Sequence, residues 1–410
     1  MVTDSDRMPP LGAVQAALRR ITEALATGLA HAGAERPAWN ELEWRLAPAV
    51  AAMHGISPLL AGMLRWQGPA QWASFLAEQR RHTLLRQQRI EELLATIDER
   101  SRSAGIAVVA LKGAALQIAG VYAAGERPMA DLDLLVHPSD AETAVAVLLA
   151  LSYRDAGTTW KHQGFEPASA EPRAILGEHA DNPIKIDLHD RISERLPLSP
   201  TDFTDLVYPP HAQPGLNAYP RAAALLAHLL AHAAGSMTHR GLRLIQLCDI
   251  ERLARRMTGA DWEDLERLHG KDRRLWWAAP PLMLTARHFP RAVPRDLLAR
   301  LQRDCPWMLR QVVHRRTLAD FSYSHLYIDP MPGVIWARSP AQVLRYLGSR
   351  VFPTREQRTQ MQVVARTGPW SAEPGWHRQS QIRRILQWLS SRPTRTETLQ
   401  PVRAALSRAC

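Results

Sequence analysis

The alternation of apolar and polar positions is sharpest between residues 106 and 136. Ile106-Ala-Val-Val-Ala-Leu111 is an unbroken apolar run of strand length. It runs into Lys112-Gly113, and residues 114–124 read as a helix, followed by a loop over 125–130. Asp131-Leu-Asp-Leu-Leu-Val136 reads as a second strand. Side chains alternate along a strand, so Asp131, Asp133 and Leu135 share one face, and Leu132, Leu134 and Val136 the other. The apolar face belongs to a core. The polar face sets two carboxylates within about 7 Å of each other.

Upstream, residues 10–105 read as all-helical. Helices are expected over Leu11–Ala32 and Trp39–Met53, with a third opened by a Ser57 cap and Pro58. A long one runs from Pro69 to Ser103, with Phe75, Leu84, Leu85, Ile90, Leu93, Leu94 and Ile97 near helical spacing. Gly105 ends it. Downstream, Ser139 caps a helix to Leu151, a strand lies near Tyr153, and a polar loop leads to strand Ile184–His189. There Ile184, Ile186 and Leu188 share one face and Lys185, Asp187 and His189 the other. Helices return over Arg221–Ala234, Leu242–Met257 and Trp262–His269, then in arginine-rich segments punctuated by proline. The polar tail from Pro393 is expected to fray. The chain divides into a helical region (1–104), an α/β layer (105–215) and a second helical region (216–410).

Composition changes this picture little. Hydrophobic residues make up 46% and charged ones 22% of 410 residues, which is ordinary for a globular protein and argues against disorder. The net charge of +11 is carried by arginine, since there are four lysines: Lys112, Lys161, Lys185 and Lys271. Such charge suits nucleotides, nucleic acid or phosphopeptides, or is spread over a solvated surface. Seven of the 13 tryptophans lie beyond residue 270, and tryptophan in amphipathic helices is more often core than a stacking platform, so nucleic acid is disfavoured. Cys248, Cys305 and Cys410 have neither metal nor redox spacing, which fits a reducing compartment. The N-terminus has no signal-like apolar segment. The longest apolar run, 222–234, is broken by His228 and His232 and falls short of the ~20 residues a membrane span needs. A cytoplasmic protein without a membrane partner is expected. Zinc-finger spacing, a P-loop and G-x-S-x-G are all missing from the sequence.

Two neighbouring carboxylates repel unless a cation lies between them. Paired Mg²⁺ ions ~3.5–4 Å apart are the usual solution in phosphoryl and nucleotidyl transfer. Aspartate is disfavoured in strands, so Asp131 and Asp133 in an apolar one point to metal binding rather than to an exposed face. Asp187 adds a third carboxylate, as metal ligand or general base, or as a strand-edge partner of Lys185 or Arg191. His189 shares its face and either orients a ligand or is structural. Lys112 and Gly113, at a strand-to-helix turn, suit phosphate, and the alternative is an ordinary turn. Arg127 either holds phosphate or locks its loop onto a carboxylate. His228 and His232 have the i, i+4 spacing of a metal pair, but their apolar helix favours packing. Asp249 is expected to meet an arginine, such as Arg243 or Arg252, or to face the cleft beside His232.

Together these residues resemble the DNA polymerase β-like nucleotidyltransferase superfamily. More narrowly they resemble a bacterial group known as an uncharacterised nucleotidyltransferase family. The resemblance rests on "HGISPLL" (54–60), "GIAVVALKGAAL" (105–116), "RPMADLDLLV" (127–136) and Ile186-Asp-Leu-His189. It extends to His232, Leu247-Cys-Asp-Ile250 and "VFPTREQ" (351–357). In the wider superfamily Gly-Ser or Gly-Gly stands about ten residues before the aspartates. Here Lys112-Gly113-Ala114 stands there, and Asp131 comes 18 residues after Gly113. The resemblance implies an α+β or α/β fold with a small mixed sheet flanked by helices. It implies Mg²⁺- or Mn²⁺-dependent transfer of a nucleoside monophosphate from an NTP, ATP foremost, to an acceptor hydroxyl or phosphate. Asp131, Asp133 and Asp187 would hold metal; Lys112, Gly113, Arg127 and His189 would bind nucleotide. Relatives often accompany gene sets for lasso-type peptides, so a modified peptide joins small molecules, proteins and RNA ends as acceptor candidates. The alternatives are a degenerate nucleotide- or partner-binding scaffold and an RNA-binding regulator.

Overall fold

The computed structural model describes residues 9–352, except 160, 170–175, 197–198, 271–273 and 324–330, together with 383, 386 and 400–407. Four helices lead in: α1 (Leu11–Ala30), α2 (Glu41–Met53), α3 (Ser57–Met63) and α4 (Ala70–Ala104). A capping box starts α2: the Glu43 N–H donates to Asn40 Oδ1 at 3.0 Å, and the Asn40 N–H to Glu43 Oε2 at 2.8 Å. α4 runs for 35 residues and stops at Gly105, whose φ of 71° favours a residue without Cβ.

The α/β layer follows as β1 (Ala107–Ala110), α5 (Lys112–Ile118), β2 (Asp131–Val136), α6 (Ala141–Ala150), β3 (Tyr153–Thr158), β4 (Gln163–Pro167) and β5 (Lys185–His189). Then come β6 (Ser193–Leu196), β7 (Ser199–Asp202), α7 (Thr204–Val207) and β8 (Gly215–Asn217). Six strands form one mixed sheet in the order β3-β4-β5-β2-β1-β8, while β6 and β7 pair separately. Central β2 is antiparallel to β1 and parallel to β5, with Asp131 opposite Lys185 and Asp133 opposite Asp187. The chain then returns to helix: α8 (Ala222–Thr238), α9 (Leu244–Ala254), α10 (Gly259–His269), α11 (Ala279–His288), α12 (Arg295–Asp304), α13 (Trp307–Arg315), α14 (Pro340–Val351) and α15 (Gln400–Ser407).

The alternation read from β2 sets the layers. Leu132, Leu134 and Val136, with Val108, Ile186 and Leu188, pack on Ile90, Leu94 and Ile97 of α4 and on Leu148 of α6. Val109 and Leu135 point the other way, into a larger core shared by the first three helices and the C-terminal ones. α8 lies in that core with nearly every residue buried, as its all-round apolar sequence requires. The polar face of β2 therefore looks toward the C-terminal helices. The fold is mixed α+β, a six-stranded sheet flanked by helical regions.

Several boundaries differ from the sequence reading. The helix expected over 114–124 begins at Lys112 and stops at Ile118, and the chain turns at Gly120 with φ 61°. Ser139 does not cap α6; it sits inside a 3₁₀ turn, Pro138–Asp140, capped by His137. Ser57 lies within α3, with Ile56 as its cap. The polar loop contains β4, whose one fully buried side chain is Phe165, too few to show alternation. Three-residue β8 and the β6–β7 pair also lack a pattern. Residues 353–357 of the "VFPTREQ" stretch and 393–399 of the tail lie outside the described residues. From Gln400 the tail is helix rather than frayed: Val402 is buried and Ala405 packs beside Ala49 of α2. Cys248 and Cys305 are buried free thiols, and Cys410 lies outside the described residues. Among the described residues no single helix is long and apolar enough to cross a membrane.

Candidate active site

The site is built where β1 turns into α5 beside β2. Lys112 makes the turn with φ 44°, a left-handed conformation that a side-chain-bearing residue adopts at a cost of about 1 kcal/mol or more. The Leu111 N–H donates to the Asp133 carbonyl at 2.9 Å, fixing the turn to β2. Lys112 Nζ donates to Asp133 Oδ1 at 2.9 Å, and His189 Nε2 meets the same oxygen at 3.1 Å. Asp133 is 8% exposed. Burial pushes its carboxyl up, but Lys112 and His189 outweigh that and hold it well below the ordinary value. Burial likewise opposes charge on Lys112, yet Asp133 and Glu194 keep the ammonium firmly protonated.

Asp131 is exposed and carries no hydrogen bond or ion pair among the described residues. Asp187 faces the same side from β5. Burial first, then the charges of Asp133 and Asp131, raise its pKa to about 7. His162 Nε2, just before β4, lies 3.5 Å from Asp187 Oδ2, and burial lowers the His162 pKa to about 4. His162 went unnoticed in the sequence because it sits in the stretch read as polar loop.

Arg127 spends its guanidinium on Asp249: Nε reaches Oδ1 and Nη2 reaches Oδ2, both at 2.8 Å. Tyr122 Oη donates to the same Oδ1 at 2.7 Å. Asp249 thus meets an arginine as expected, but it is Arg127 rather than Arg243 or Arg252; Arg252 instead pairs with Glu126 at 2.6 Å. Gly113 packs beneath this pair. A Cβ on it would lie 2.9 Å from Arg127 Cζ and 3.0 Å from Met129 Sδ.

His228 and His232 part company. Buried His228 Nδ1 bonds Tyr219 Oη at 2.7 Å, whereas His232 Nδ1 lies 3.5 Å from Glu194 Oε1. Glu194, buried in β6, also takes Lys161 Nζ at 2.6 Å. Burial raises its pKa, but His232 and Lys161 overturn that and keep it ionised.

A further residue missed in the sequence reading is Arg86 of α4. It is 2% exposed, with Nε donating to the Met129 carbonyl at 2.9 Å and Nη2 to those of Ala130 and Pro183 at 3.0 Å. It ties together the segments entering β2 and β5, which carry the three aspartates. The signal was present: Arg86 falls on the helical face of Ile90, Leu94 and Ile97, where an arginine must find buried acceptors.

Lys112, Gly113, Arg127, Asp131, Asp133 and Glu178 line a cleft of about 200 Å³. Ser57, Leu229, His232, Arg243, Gln246 and Asp249 line it too, while Asp187 and His189 stand outside the lining. Among the described residues no three acidic, histidine or cysteine side chains converge to hold one ion. Asp131 and Asp133 do fit a hard divalent cation as a pair of oxygen donors. Asp131 is unengaged, and Asp133 Oδ2 has no hydrogen bond among the described residues, leaving other positions to water and substrate oxygens.

A mixed sheet carrying paired aspartates beside a lysine-lined cleft is what a nucleotidyltransferase fold presents. The chain belongs to the uncharacterised nucleotidyltransferase family, which it matches over residues 40–301, from the cap of α2 into α12. No curated protein and no solved structure matches it.

Proposed function

We propose that the chain moves a nucleoside monophosphate from an NTP, ATP foremost, to an acceptor hydroxyl or phosphate, with pyrophosphate leaving. The supporting observation is the sheet register. Asp133 stands directly opposite Asp187, and Asp131 lies two residues along β2 at the cleft wall. Asp131 and Asp133 would hold Mg²⁺ or Mn²⁺, which when bound supplies neutralising charge to the triphosphate. Lys112 lines the same cleft and offers its ammonium to a phosphate oxygen. Asp187, with a pKa of about 7, suits accepting a proton from an acceptor hydroxyl near neutral pH. Arg127 and Gly113 act on the site by fixing the loop before β2. The acceptor is a peptide, small molecule, protein or RNA end.

A second reading is favoured by one observation: Asp133 is already neutralised by Lys112 and His189 and nearly buried. On that reading the scaffold binds nucleotide without transferring it. Incubation with α-labelled NTPs, Mg²⁺ and cell extract separates the two. Transfer predicts a labelled acceptor and released pyrophosphate, both lost in the Asp131→Ala/Asp133→Ala double variant. Metal-dependent NTP binding with no label transferred in any extract would leave the binding scaffold standing.

A further inference from the structure

Three cationic side chains line the cleft among the described residues, Lys112, Arg127 and Arg243. The first two are engaged by Asp133 and Asp249. Arg243 is exposed and pairs with no carboxylate among the described residues. Its backbone, by contrast, is firmly held at the start of α9. The Arg243 N–H donates to Gln246 Oε1 at 2.9 Å. The next two N–H groups donate to His54: Leu244 to Nδ1 at 3.0 Å and Ile245 to the carbonyl at 3.1 Å. A guanidinium on an anchored backbone in the cleft lining, acting on the Glu178 carboxylate only from beyond ion-pair distance, is a ready fork for phosphate oxygens.

A second, independent observation lies in the same lining. Ser57 is 2% exposed and lines the cleft, yet its Oγ has no hydrogen-bond partner. A buried hydroxyl without a protein partner is disfavoured unless a ligand or a water completes it. Glu178, the nearby acid that would repel an anion, has its carboxylate 3.3 Å from Arg86 Nε. The cleft, at about 200 Å³, is smaller than the roughly 300–1,000 Å³ of sites that enclose a whole small molecule. It suits a polyphosphate with the rest of the nucleotide outside.

We infer that Arg243 and Ser57 form the subsite for the β- and γ-phosphates of the nucleoside triphosphate, in the cleft that Asp131 and Asp133 also line. This rests on the transferase reading and names the group that holds the pyrophosphate half. The same chemistry would also hold a phosphate borne by the acceptor, so the test separates the two sources.

Calorimetric titration of the full chain with Mg²⁺ and each of the four NTPs, the matching monophosphates and inorganic pyrophosphate provides that test. Arg243→Gln is expected to weaken NTP and pyrophosphate binding by about tenfold or more and to leave monophosphate binding unchanged. Ser57→Ala is expected to weaken the same two ligands by less. Because Oγ has no bond to lose, that variant should melt no lower than wild type, which keeps the test independent of folding. Unchanged NTP and pyrophosphate affinity in Arg243→Gln would overturn the subsite alone. Equal loss of monophosphate binding would move Arg243 to the α-phosphate or the acceptor and overturn it too. If the wild-type chain binds neither NTP nor pyrophosphate, the transferase reading falls with it.

Discussion

Arg127 and Asp249, 122 residues apart in sequence, form a bidentate ion pair with both contacts at 2.8 Å. The pair joins the loop before β2 to α9. It also accounts for Gly113, since a side chain there would collide with the Arg127 guanidinium. α9 is in turn held by His54, which accepts the Leu244 N–H, and by Gly55, whose φ of 67° and missing Cβ let Ile245 approach. Four separated stretches, around 54, 113, 127 and 249, thus make one continuous clamp around the lysine–aspartate site.

Breaking the clamp should destabilise the whole chain. Asp249 and Arg127 side chains are 3% and 15% exposed, so Asp249→Asn leaves a largely buried guanidinium uncompensated. The expected cost is about 3–5 kcal/mol, read as a lower Tm and a lower urea midpoint. A melting temperature equal to that of wild type would show that Arg127 finds another partner and that the clamp is not structural.

Arg86 should act on the site without touching substrate. Its guanidinium serves carbonyls of both strand-entry segments, and lysine cannot reproduce that planar fork. Arg86→Lys is expected to lower stability by about 1–3 kcal/mol through buried carbonyls left unpaired. It should also slow label transfer more than it weakens NTP affinity, because Asp131, Asp133 and Asp187 lose their fixed spacing. Loss of affinity with turnover intact would argue instead for contact with nucleotide.

The sequence made the site strands legible and left their supports hidden. Asp131-Leu-Asp-Leu-Leu-Val alternates because one face of β2 meets α4 while the other meets α8, and a period of two survives in the residue types. The same holds for Ile186, Asp187 and Leu188 in β5. Arg127's partner could not be read, because Asp249 lies 122 residues away and three arginines competed for it. β8 escaped notice because backbone pairing places it, and three residues carry no period. His162 depends on a hairpin turn that brings a polar stretch back beside Asp187. α5 ran shorter than its apolar pattern because Gly120 turns the chain in a left-handed conformation.

His54 should make the fold sensitive to acid. Its Nδ1 must be unprotonated to accept the Leu244 N–H. Burial, then the charge of Arg243, lowers its pKa from 6.5 to about 3. Below the unfolded value the unfolded chain binds a proton that the folded chain refuses. The stabilising contribution is therefore complete above pH 6.5 and is lost as pH falls from 6.5 toward 3. The expected result is a Tm that drops between pH 7 and pH 4, with a shallower drop in His54→Gln, whose Tm at pH 7 is already lower. Parallel curves for the two proteins would assign the acid sensitivity to other groups, His228 and His288 among them.

Asp131 and Asp133 share a proposed role but differ in what the fold asks of them. Asp133 Oδ1 receives both Lys112 and His189, and the side chains of Lys112 and Asp133 are 17% and 11% exposed. Asp133→Asn removes the charge that compensates a mostly buried ammonium, and should cost about 3–5 kcal/mol whether or not metal is present. Asp131 is exposed and unpartnered among the described residues, so Asp131→Asn should shift stability by about 0.5 kcal/mol or less. Metal separates the stability role from the ligand role. Mn²⁺ binding to the folded chain raises Tm by mass action, so wild type should gain and Asp131→Asn should gain little at the same concentration. An equal rise in both would remove Asp131 from the metal site. A large fall in Tm for Asp131→Asn without metal would mean that its carboxylate has a structural partner after all.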